Sequence, residues 1–315
     1  MTIIATEGGS VKLLVINNLK SGYGEGAVYD FIRSFVRDGD EVCLRSTDGA
    51  TDLSTMVFDA ADYDAVVASG GDGTVAAVSY CLAGTGIPVL PFPAGTANLL
   101  ALNLASPNEP HALAKLVRAG LTLDFDLGEM EVGGRRCGFV IMAGAGYDAA
   151  IMRDAKPNKR LLGPMAYFSA AIANPTPQMS KFTITLDGRK LESEGLGILL
   201  VNFAKLQFDL SVTHDNEPRD GVLGVVVLKA KTAFDLIPAL IASLLDRDGE
   251  HPDRTESLEI FYAHEIRVEA DPPMEVQFDG EANGLTTPFS ARVLPGAARF
   301  YVSEEGFELF SDEGK

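Results

Sequence analysis

The hydrophobic pattern of the first 127 residues alternates between short apolar runs and segments with apolar positions three or four residues apart. The runs have the length and β-branched content of buried strands, and the segments have the period of amphipathic helices. The predicted strands cover 12–16, 41–45, 65–68 and 88–91. The predicted helices cover 26–36, 52–60, 74–83, 98–101 and 109–119. This alternation predicts a mostly parallel, doubly wound α/β sheet with helices on both faces.

After residue 121 the pattern changes to short strands in quick succession, with a hairpin turn predicted at Gly133-Gly134. Such spacing favours a mainly antiparallel β-sandwich or barrel as a second domain. The predicted strands cover 181–186, 197–202, 222–228, 257–262, 265–269, 274–278 and 291–294. The closing stretches 298–302 and 307–310 are predicted to pair back onto the first domain. Two apolar helical stretches, 161–173 and 233–247, interrupt them.

The composition is that of a globular protein that does not bind nucleic acid. The 315 residues are 46% hydrophobic and 22% charged, and this length allows two domains. The formal net charge of −18 excludes a nucleic-acid partner and opposes long-range attraction to anionic membranes. A membrane-spanning helix needs about 18 to 20 apolar residues, and no apolar run in the sequence is that long. No signal-peptide pattern is evident in the first residues.

The cysteines and histidines indicate no additional chemistry. Cys43, Cys81 and Cys137 lie far apart within apolar patterns, so we predict that they are buried, reduced thiols. No CxxC or clustered Cys/His spacing indicates a zinc site. The four histidines are scattered, and none is predicted to be a catalyst.

The most informative segment is the turn that follows the strand predicted at 65–68. It reads Gly70-Gly71-Asp72-Gly73-Thr74. Its glycines let the backbone come close to a bound group, and the next helix presents its N-terminal N–H groups to phosphate. Asp72 would be repelled by phosphate unless a metal or a hydrogen-bonded network lies between them, which points to Mg²⁺-nucleotide chemistry. A plain tight turn is the alternative for an isolated glycine cluster.

A second segment at 87–98 repeats the order of strand, turn and helix. Gly95 and Thr96 lie at its turn, and Asn98 lies near the start of the next helix. Two successive parallel strands bring their turns to the same carboxyl-end edge of a sheet, where open α/β folds bind ligands. Asn98 is a candidate nucleotide-binding residue, and an ordinary helix cap is the alternative interpretation.

Four motifs, taken together, resemble the diacylglycerol kinase catalytic-domain family, which includes sphingosine, ceramide and bacterial lipid kinases. They are GGDGT at 70–74, P-x-G-T-x-N at 93–98, D-G-V-L at 220–223 and D-G-E at 279–281. The resemblance implies transfer of the γ-phosphoryl group of ATP to a lipid hydroxyl, with diacylglycerol as the default acceptor and phosphatidic acid as the product. It also implies that 298–315 return to the first domain. The expected domains are 1–127 with 298–315, and 128–297.

Phosphoryl transfer needs a cradle for the triphosphate, a cation and an aligned hydroxyl. The cradle is predicted to consist of Gly70, Gly71, Gly73, Thr74, Gly95 and Thr96. Asp72 is suited to orient Mg²⁺, directly or through water. Glu281 takes the place of the family's proton-accepting glutamate, although a surface turn would also explain an acidic residue there.

The first turn of the chain departs from the family's N-P-x-S-G pattern. Its matching residues, which the resemblance implies as nucleotide contacts, are Asn18, Lys20, Ser21 and Gly22. Leu19 replaces the proline, which is expected to loosen the turn without removing a polar ligand. Thr47 resembles a threonine that contacts nucleotide in the family, and Lys20 adds a positive charge for phosphate unless it is an ordinary surface lysine.

The segment around Asp220 resembles a peripheral Mg²⁺ site of some bacterial members. The resemblance implies Asp220 as the side-chain ligand, with backbone oxygens near Glu217 and Val222. A plain type I turn over 218–221 is the alternative.

The implied cofactors are ATP and Mg²⁺. The implied partner is a membrane lipid, which a cytoplasmic protein reaches by peripheral contact with the membrane. Whether the protein forms a homodimer is left open. Sphingosine or ceramide is the second lipid acceptor. NAD kinase shares GGDGT, but its G-S-T-A-Y-type stretch is missing here. A regulator without activity is the third alternative, and the retention of Asp72, Thr96 and Glu281 argues against it.

Overall fold

The computed structural model describes residues 2–3, 9–21, 26–146, 178–203, 217–229, 258–278 and 281–311, and of residues 2–3 and 281–283 it describes the backbone. The chain divides into two compact units. The first comprises Met1–Phe125 and Gly296–Lys315, and the second comprises Asp126–Pro295. The helical stretches predicted at 161–173 and 233–247 lie outside the described residues.

The first unit is built on a parallel sheet. Its strands include β1 (Thr2–Ile3), β2 (Lys12–Asn18), β3 (Glu41–Thr47), β4 (Ala65–Gly70) and β5 (Pro88–Pro93). Its helices include α1 (Ala27–Phe35), α2 (Asp72–Cys81), α3 (Leu99–Asn103) and α4 (Pro110–Ala119). Four strands pair in parallel in the order β5-β4-β2-β3. The strand order therefore reverses between β2 and β4, and such a switch point is where open α/β sheets bind ligands.

Both faces of this parallel sheet are buried. Leu13 and Val15, on one face of β2, share a core with Phe31 and Phe35 of α1. Leu14 points to the opposite face, because strand residues alternate, and it is also fully buried. Continuous apolar strands of this kind are typical of a sheet covered on two sides. The predicted doubly wound α/β architecture is confirmed.

The second unit is antiparallel. Its strands include β6 (Leu121–Val132), β7 (Arg135–Phe139), β8 (Met142–Gly146), β9 (Ser180–Leu186), β10 (Arg189–Gly195) and β11 (Gly197–Val201). They continue with β12 (Leu223–Leu228), β13 (Leu258–Ala263), β14 (Glu265–Asp271), β15 (Glu275–Phe278), β16 (Glu281–Thr286) and β17 (Phe289–Tyr301). The chain passes between the two units within β6 and β17.

Two sheets enclose one core in this second unit. One sheet has the order β13-β12-β11-β8-β15-β16, and the other contains β10-β9-β14-β17 and the β6–β7 hairpin. Phe182 of β9 and Phe289 of β17 pack with Ile198 of β11 and Val225 of β12. The hairpin turns at Gly133-Gly134, whose φ values of 57° and 75° suit glycine. The predicted β-sandwich is confirmed.

The end of the chain adds a strand and a helix to the first unit. The last part of β17 pairs in parallel with β5, with Phe300 opposite Val89. The chain then forms α5 (Glu304–Phe310), whose N-cap Ser303 accepts the N–H of Gly306 at 2.9 Å. The phenyl ring of Phe310 meets that of Phe125 edge-on, with ring centres 5.3 Å apart.

The prediction of a helix over 52–60 is wrong. The segment forms two short 3₁₀ turns, Leu53–Met56 and Ala60–Asp62. The carboxylate of Asp52 accepts the N–H of Ser54 at 3.0 Å. Such local bonds from side chain to backbone compete with a continuous helix.

The prediction of a strand over 307–310 is also wrong, because these residues lie in α5. Ser303 caps this helix, and Glu304 and Glu305 occupy its first turn, where carboxylates favour a helix. The strands predicted at 291–294 and 298–302 are parts of the single strand β17.

The expectation of buried cysteines is wrong for Cys81, which lies exposed in the last turn of α2. Cys43 and Cys137 are partly buried. In the part of the chain that the structure describes, no helix has the length and apolar character that crossing a membrane requires.

Candidate functional site

The two predicted glycine turns lie side by side at the carboxyl-end edge of the parallel sheet. Gly70, the last residue of β4, is the register partner of Pro93, the last residue of β5. The helix α2 begins at Asp72, within the first glycine turn, and α3 begins at Leu99, after the second. The two turns are therefore brought together as the sequence predicts.

Two glycines of these turns, Gly70 and Gly95, occupy positions where a side chain does not fit. A Cβ atom on Gly70 would lie 2.5 Å from Cβ of Thr74. A Cβ atom on Gly95 would lie 2.9 Å from Oδ1 of Asn98 and 3.2 Å from the backbone nitrogen of Gly71. Between the turns there is a cavity of only about 10 Å³, around the lower limit for one water molecule. A bound phosphate therefore has to lie on the solvent side of the two turns.

The side chain of Asn98 folds back onto its own turn. Asn98 has a left-handed backbone, with φ of 49°, and occupies the N-cap position of α3. Its Oδ1 accepts the N–H of Gly95 at 2.8 Å, and its Nδ2 donates to the carbonyl of Gly95 at 3.1 Å. It makes no side-chain cap bond to α3, so the ordinary helix-cap interpretation is wrong.

Asp72 joins the first turn to the second. It is the first residue of α2, and its Oδ1 accepts the backbone N–H of Leu100 in the first turn of α3 at 3.1 Å. Its negative charge therefore lies at the N-terminal ends of two helices, where the helix dipole favours an anion. The carboxylate thus caps α3 from another element.

The turn after β2 contacts the glycine turn after β4. Nδ2 of Asn18 donates to Oγ1 of Thr74 at 2.8 Å, and the N–H of Gly71 donates to Oγ of Ser21 at 3.2 Å. Both bonds cross the switch point between β2 and β4. Lys20 is exposed in this turn, and Gly22 lies outside the described residues.

The backbone of Leu19 connects this turn to β3. Its backbone N–H donates to the carbonyl of Thr47 at 2.9 Å, a bond that a proline cannot make. Thr47 is the register partner of Asn18 and is buried, and its Oγ1 accepts the N–H of Gly49 at 3.0 Å. Thr47 therefore lies beside the turn after β2. Thr96, in the second glycine turn, is exposed.

Sequence reasoning missed a buried polar pair beneath these turns. Oγ of Ser69 donates to Oδ1 of Asn17 at 3.1 Å, and both side chains are buried. They end the apolar runs of two strands that pair directly, with Asn17 opposite Ser69. Polar residues at matching positions of adjacent strand ends are the signal that would have found them.

The carboxylate of Asp220 closes a tight loop in the second unit. It accepts the N–H of Val222 at 3.0 Å and that of Glu217 at 3.3 Å, and burial raises its pKa. The next residue, Gly221, donates its N–H to Asp126 of β6 at 2.7 Å. Among the described residues, no three His, Cys, Asp or Glu side chains are grouped as a metal site.

Glu281 is the first residue of β16 and pairs with Phe278 of β15. Its side chain, together with Asp279 and Gly280, lies outside the described residues. The role of this carboxylate therefore stays a prediction from the sequence.

Two family models match the chain in succession. The model for the diacylglycerol kinase catalytic domain matches residues 12–130, and the model for the YegS C-terminal NAD kinase β-sandwich-like domain matches residues 141–302. A Bacillus subtilis protein named diacylglycerol kinase is 27% identical over 263 residues, which cover 81% of this chain and 84% of that protein. An uncharacterized Synechocystis protein is 28% identical over 249 residues, and the match spans 76% of this chain and 55% of that protein.

The fold is also found among solved structures. A crystal structure of a diacylglycerol kinase from Bacillus anthracis superposes with a TM-score of 0.72 at 23% identity, covering 93% of this chain and 98% of that one. Together with the two family models, the parallel sheet with its two glycine turns and the β-sandwich define a kinase of two domains. The chain belongs to the diacylglycerol kinase catalytic-domain family, and it is a lipid kinase that uses ATP.

Proposed function

We propose that this lipid kinase transfers the γ-phosphoryl group of ATP to the hydroxyl group of diacylglycerol, giving phosphatidic acid. The observation that carries the choice of acceptor is the similarity, over 81% of this chain, to a Bacillus subtilis protein named diacylglycerol kinase. Sphingosine and ceramide are the acceptors against which this choice has to be tested.

The two glycine turns fit the polyphosphate chain of ATP. Gly70 and Gly95 lie where a Cβ atom would collide with neighbouring atoms, so the turn backbones are packed closely. The N-terminal turn of α2 directs its dipole and N–H groups towards the same edge of the sheet. We assign the phosphates to this edge, with the exposed amine of Lys20 as an additional positive charge.

A divalent cation fits the same edge through Asp72. Its carboxylate is of the hard oxygen type that Mg²⁺ prefers, and it lies at the start of α2 between the two turns. When bound, Mg²⁺ offsets the negative charge that develops on the phosphoryl oxygens. Asp72 would hold it directly or through water.

Glu281 is proposed to accept the proton of the attacking hydroxyl. The hydroxyl oxygen forms a bond to the γ-phosphorus while the bond from that phosphorus to the bridging β–γ oxygen breaks, and ADP leaves. The hydroxyl proton passes to the carboxylate of Glu281. A carboxylate of ordinary pKa is a weak base, so it orients the hydroxyl first and takes the proton late in the transfer.

The acceptor lipid implies peripheral contact with a membrane, which we place on the cytoplasmic side. The formal net charge of −18 opposes approach to an anionic surface. We therefore expect the protein to bind vesicles of zwitterionic phospholipid and diacylglycerol better than vesicles rich in anionic lipid. The difference should shrink at high salt, because salt screens exposed charges.

The acceptor is tested with radiolabelled ATP, Mg²⁺ and mixed micelles that contain one acceptor at a time. The panel consists of diacylglycerol, monoacylglycerol, sphingosine and ceramide, with NAD in solution. We expect the highest kcat/KM for diacylglycerol. A preference for sphingosine or ceramide would reassign the acceptor, labelling of NAD alone would overturn the lipid assignment, and no transfer at all would favour a regulator without activity.

A further inference from the structure

At the start of α3, the cap residue and the residue that bonds to the helix N–H group are different. An N-cap side chain ordinarily accepts a hydrogen bond from the N–H group of the second or third residue of its own helix. Asn98 instead uses both the oxygen and the nitrogen of its carboxamide to bond to Gly95. The N–H of Leu100 donates to the carboxylate of Asp72, which belongs to α2. The turn is thus held by two side chains, one on each side.

We propose that Asn98 is a positioning residue of the ATP site, which acts through the backbone of Gly95 and does not itself touch the nucleotide. This inference rests on the proposed function, because it concerns the same phosphate-binding edge. It differs from a ligand role for Asn98, in which the carboxamide would bind ATP directly.

The chemistry of the carboxamide explains why asparagine suits this position. The Gly95 peptide presents an N–H and a carbonyl, so a side chain that satisfies both needs one acceptor and one donor. Asparagine offers both on a short side chain, and it tolerates the positive φ of 49° better than most residues. Aspartate lacks the donor, and glycine lacks both groups.

The close packing of the two turns transmits this constraint. A Cβ atom on Gly95 would lie 3.2 Å from the backbone nitrogen of Gly71, so the second turn rests directly on the first. The N–H of that same residue, Gly71, already bonds to Ser21 of the first turn of the chain. A shift of the Gly95 peptide therefore moves the backbone that faces the phosphates.

The test compares Asn98→Gly with wild type. Glycine accepts the positive φ without strain, so this variant removes the two hydrogen bonds and little else. We expect the Kd for ATP, measured by calorimetry of the full chain with Mg²⁺, to rise about tenfold, with a similar rise in the KM for ATP. The kcat at saturating ATP should stay within about twofold, because the change acts on binding of the nucleotide.

Asp187→Gly is the matched control. Asp187 also has a positive φ, of 48°, and its carboxylate accepts the backbone N–H groups of His264 and Glu265 in the second unit. Its loss should lower the Tm and leave the Kd for ATP unchanged. A purely structural role of Asn98 would give this same result, a lower Tm with an unchanged Kd, and would overturn the proposal.

A double variant separates positioning from direct contact. If Asn98 acts through Gly95, the loss in ATP affinity of Asn98→Gly with Gly95→Ala should be no larger than that of Gly95→Ala alone. Additive losses would mean that Asn98 binds the nucleotide independently, and would overturn the proposal. If the wild-type protein binds ATP but phosphorylates no lipid, the proposed function fails, while the affinity comparison still decides the role of Asn98.

Discussion

Gly95→Ala is the most direct test of the packed turns. The new methyl group would lie 2.9 Å from Oδ1 of Asn98 and 3.2 Å from the nitrogen of Gly71, while ordinary van der Waals contact begins at 3.4 Å. It would also lie under 3.0 Å from Cα of Gly71, where real Cβ atoms are essentially never found. Because the Gly71 atoms belong to the backbone, they cannot turn away as a side chain can, and the two turns have to move apart.

The size of the effect follows from this displacement. Inserting a methyl group into a well-packed region costs about 1–3 kcal/mol, which corresponds to a fall in Tm of roughly 2–12 °C for a unit of this size. A displacement on the order of 1 Å at a reacting centre costs about a hundredfold in rate. We therefore expect kcat/KM for ATP to fall about a hundredfold in the radiolabel assay, with a moderately lower Tm by circular dichroism.

Gly71→Ala is the control. Gly71 has φ of −81° and ψ of 177°, which any residue adopts, and a Cβ atom there would meet only Cα of Gly95 at 3.7 Å. This variant should keep the wild-type Tm and lose much less activity. Wild-type kcat/KM in Gly95→Ala, or equal losses in the two variants, would refute the reasoning.

Three further predictions concern the carboxylates. Asp72→Asn should keep the wild-type Tm, because an amide oxygen still accepts the N–H of Leu100, whereas Asp72→Ala should lose about 1 kcal/mol of stability; both should lose most turnover if the charge orients Mg²⁺. Glu281→Gln should lower kcat about 10²–10⁴-fold with an unchanged KM for ATP, and a normal kcat would remove it from the mechanism. Burial raises the pKa of Asp220, so without metal its contribution to stability declines as the pH rises through that pKa. If Mg²⁺ binds there, it should raise the Tm at neutral pH in the wild type and not in Asp220→Ala.

The sheet and its two glycine turns could be predicted because their signals are local. The apolar run that contains Val66 and Val67 identifies a buried strand, and Gly70 marks its end. The same period-based reasoning failed at 52–60, where Asp52 bonds to a nearby backbone N–H and no continuous helix forms. It also failed at 307–310, where Ser303 caps a helix that contains these residues.

The bonds that organise the candidate site could not be predicted, because they join residues that are distant in sequence. Asp72 and Leu100 are 28 positions apart, and Asn18 and Thr74 are 56 positions apart. No periodicity or turn motif encodes such a pair until the strand order is known. The sequence correctly indicates polar residues at the edge of the sheet, but only the folded chain shows that Asp72 caps the next helix.

The split of the first unit along the chain has a consequence for biosynthesis. Its sheet gains β17 as the parallel partner of β5 only from residues near 300, and α5 follows later still. Those residues are synthesised after the sandwich, so the sheet of the first unit becomes complete only after the sandwich has been made. The sandwich, encoded by the uninterrupted stretch Asp126–Pro295, has all its strands earlier. A fragment ending at residue 125 should consequently be prone to aggregate, because the edge of β5 would stay open.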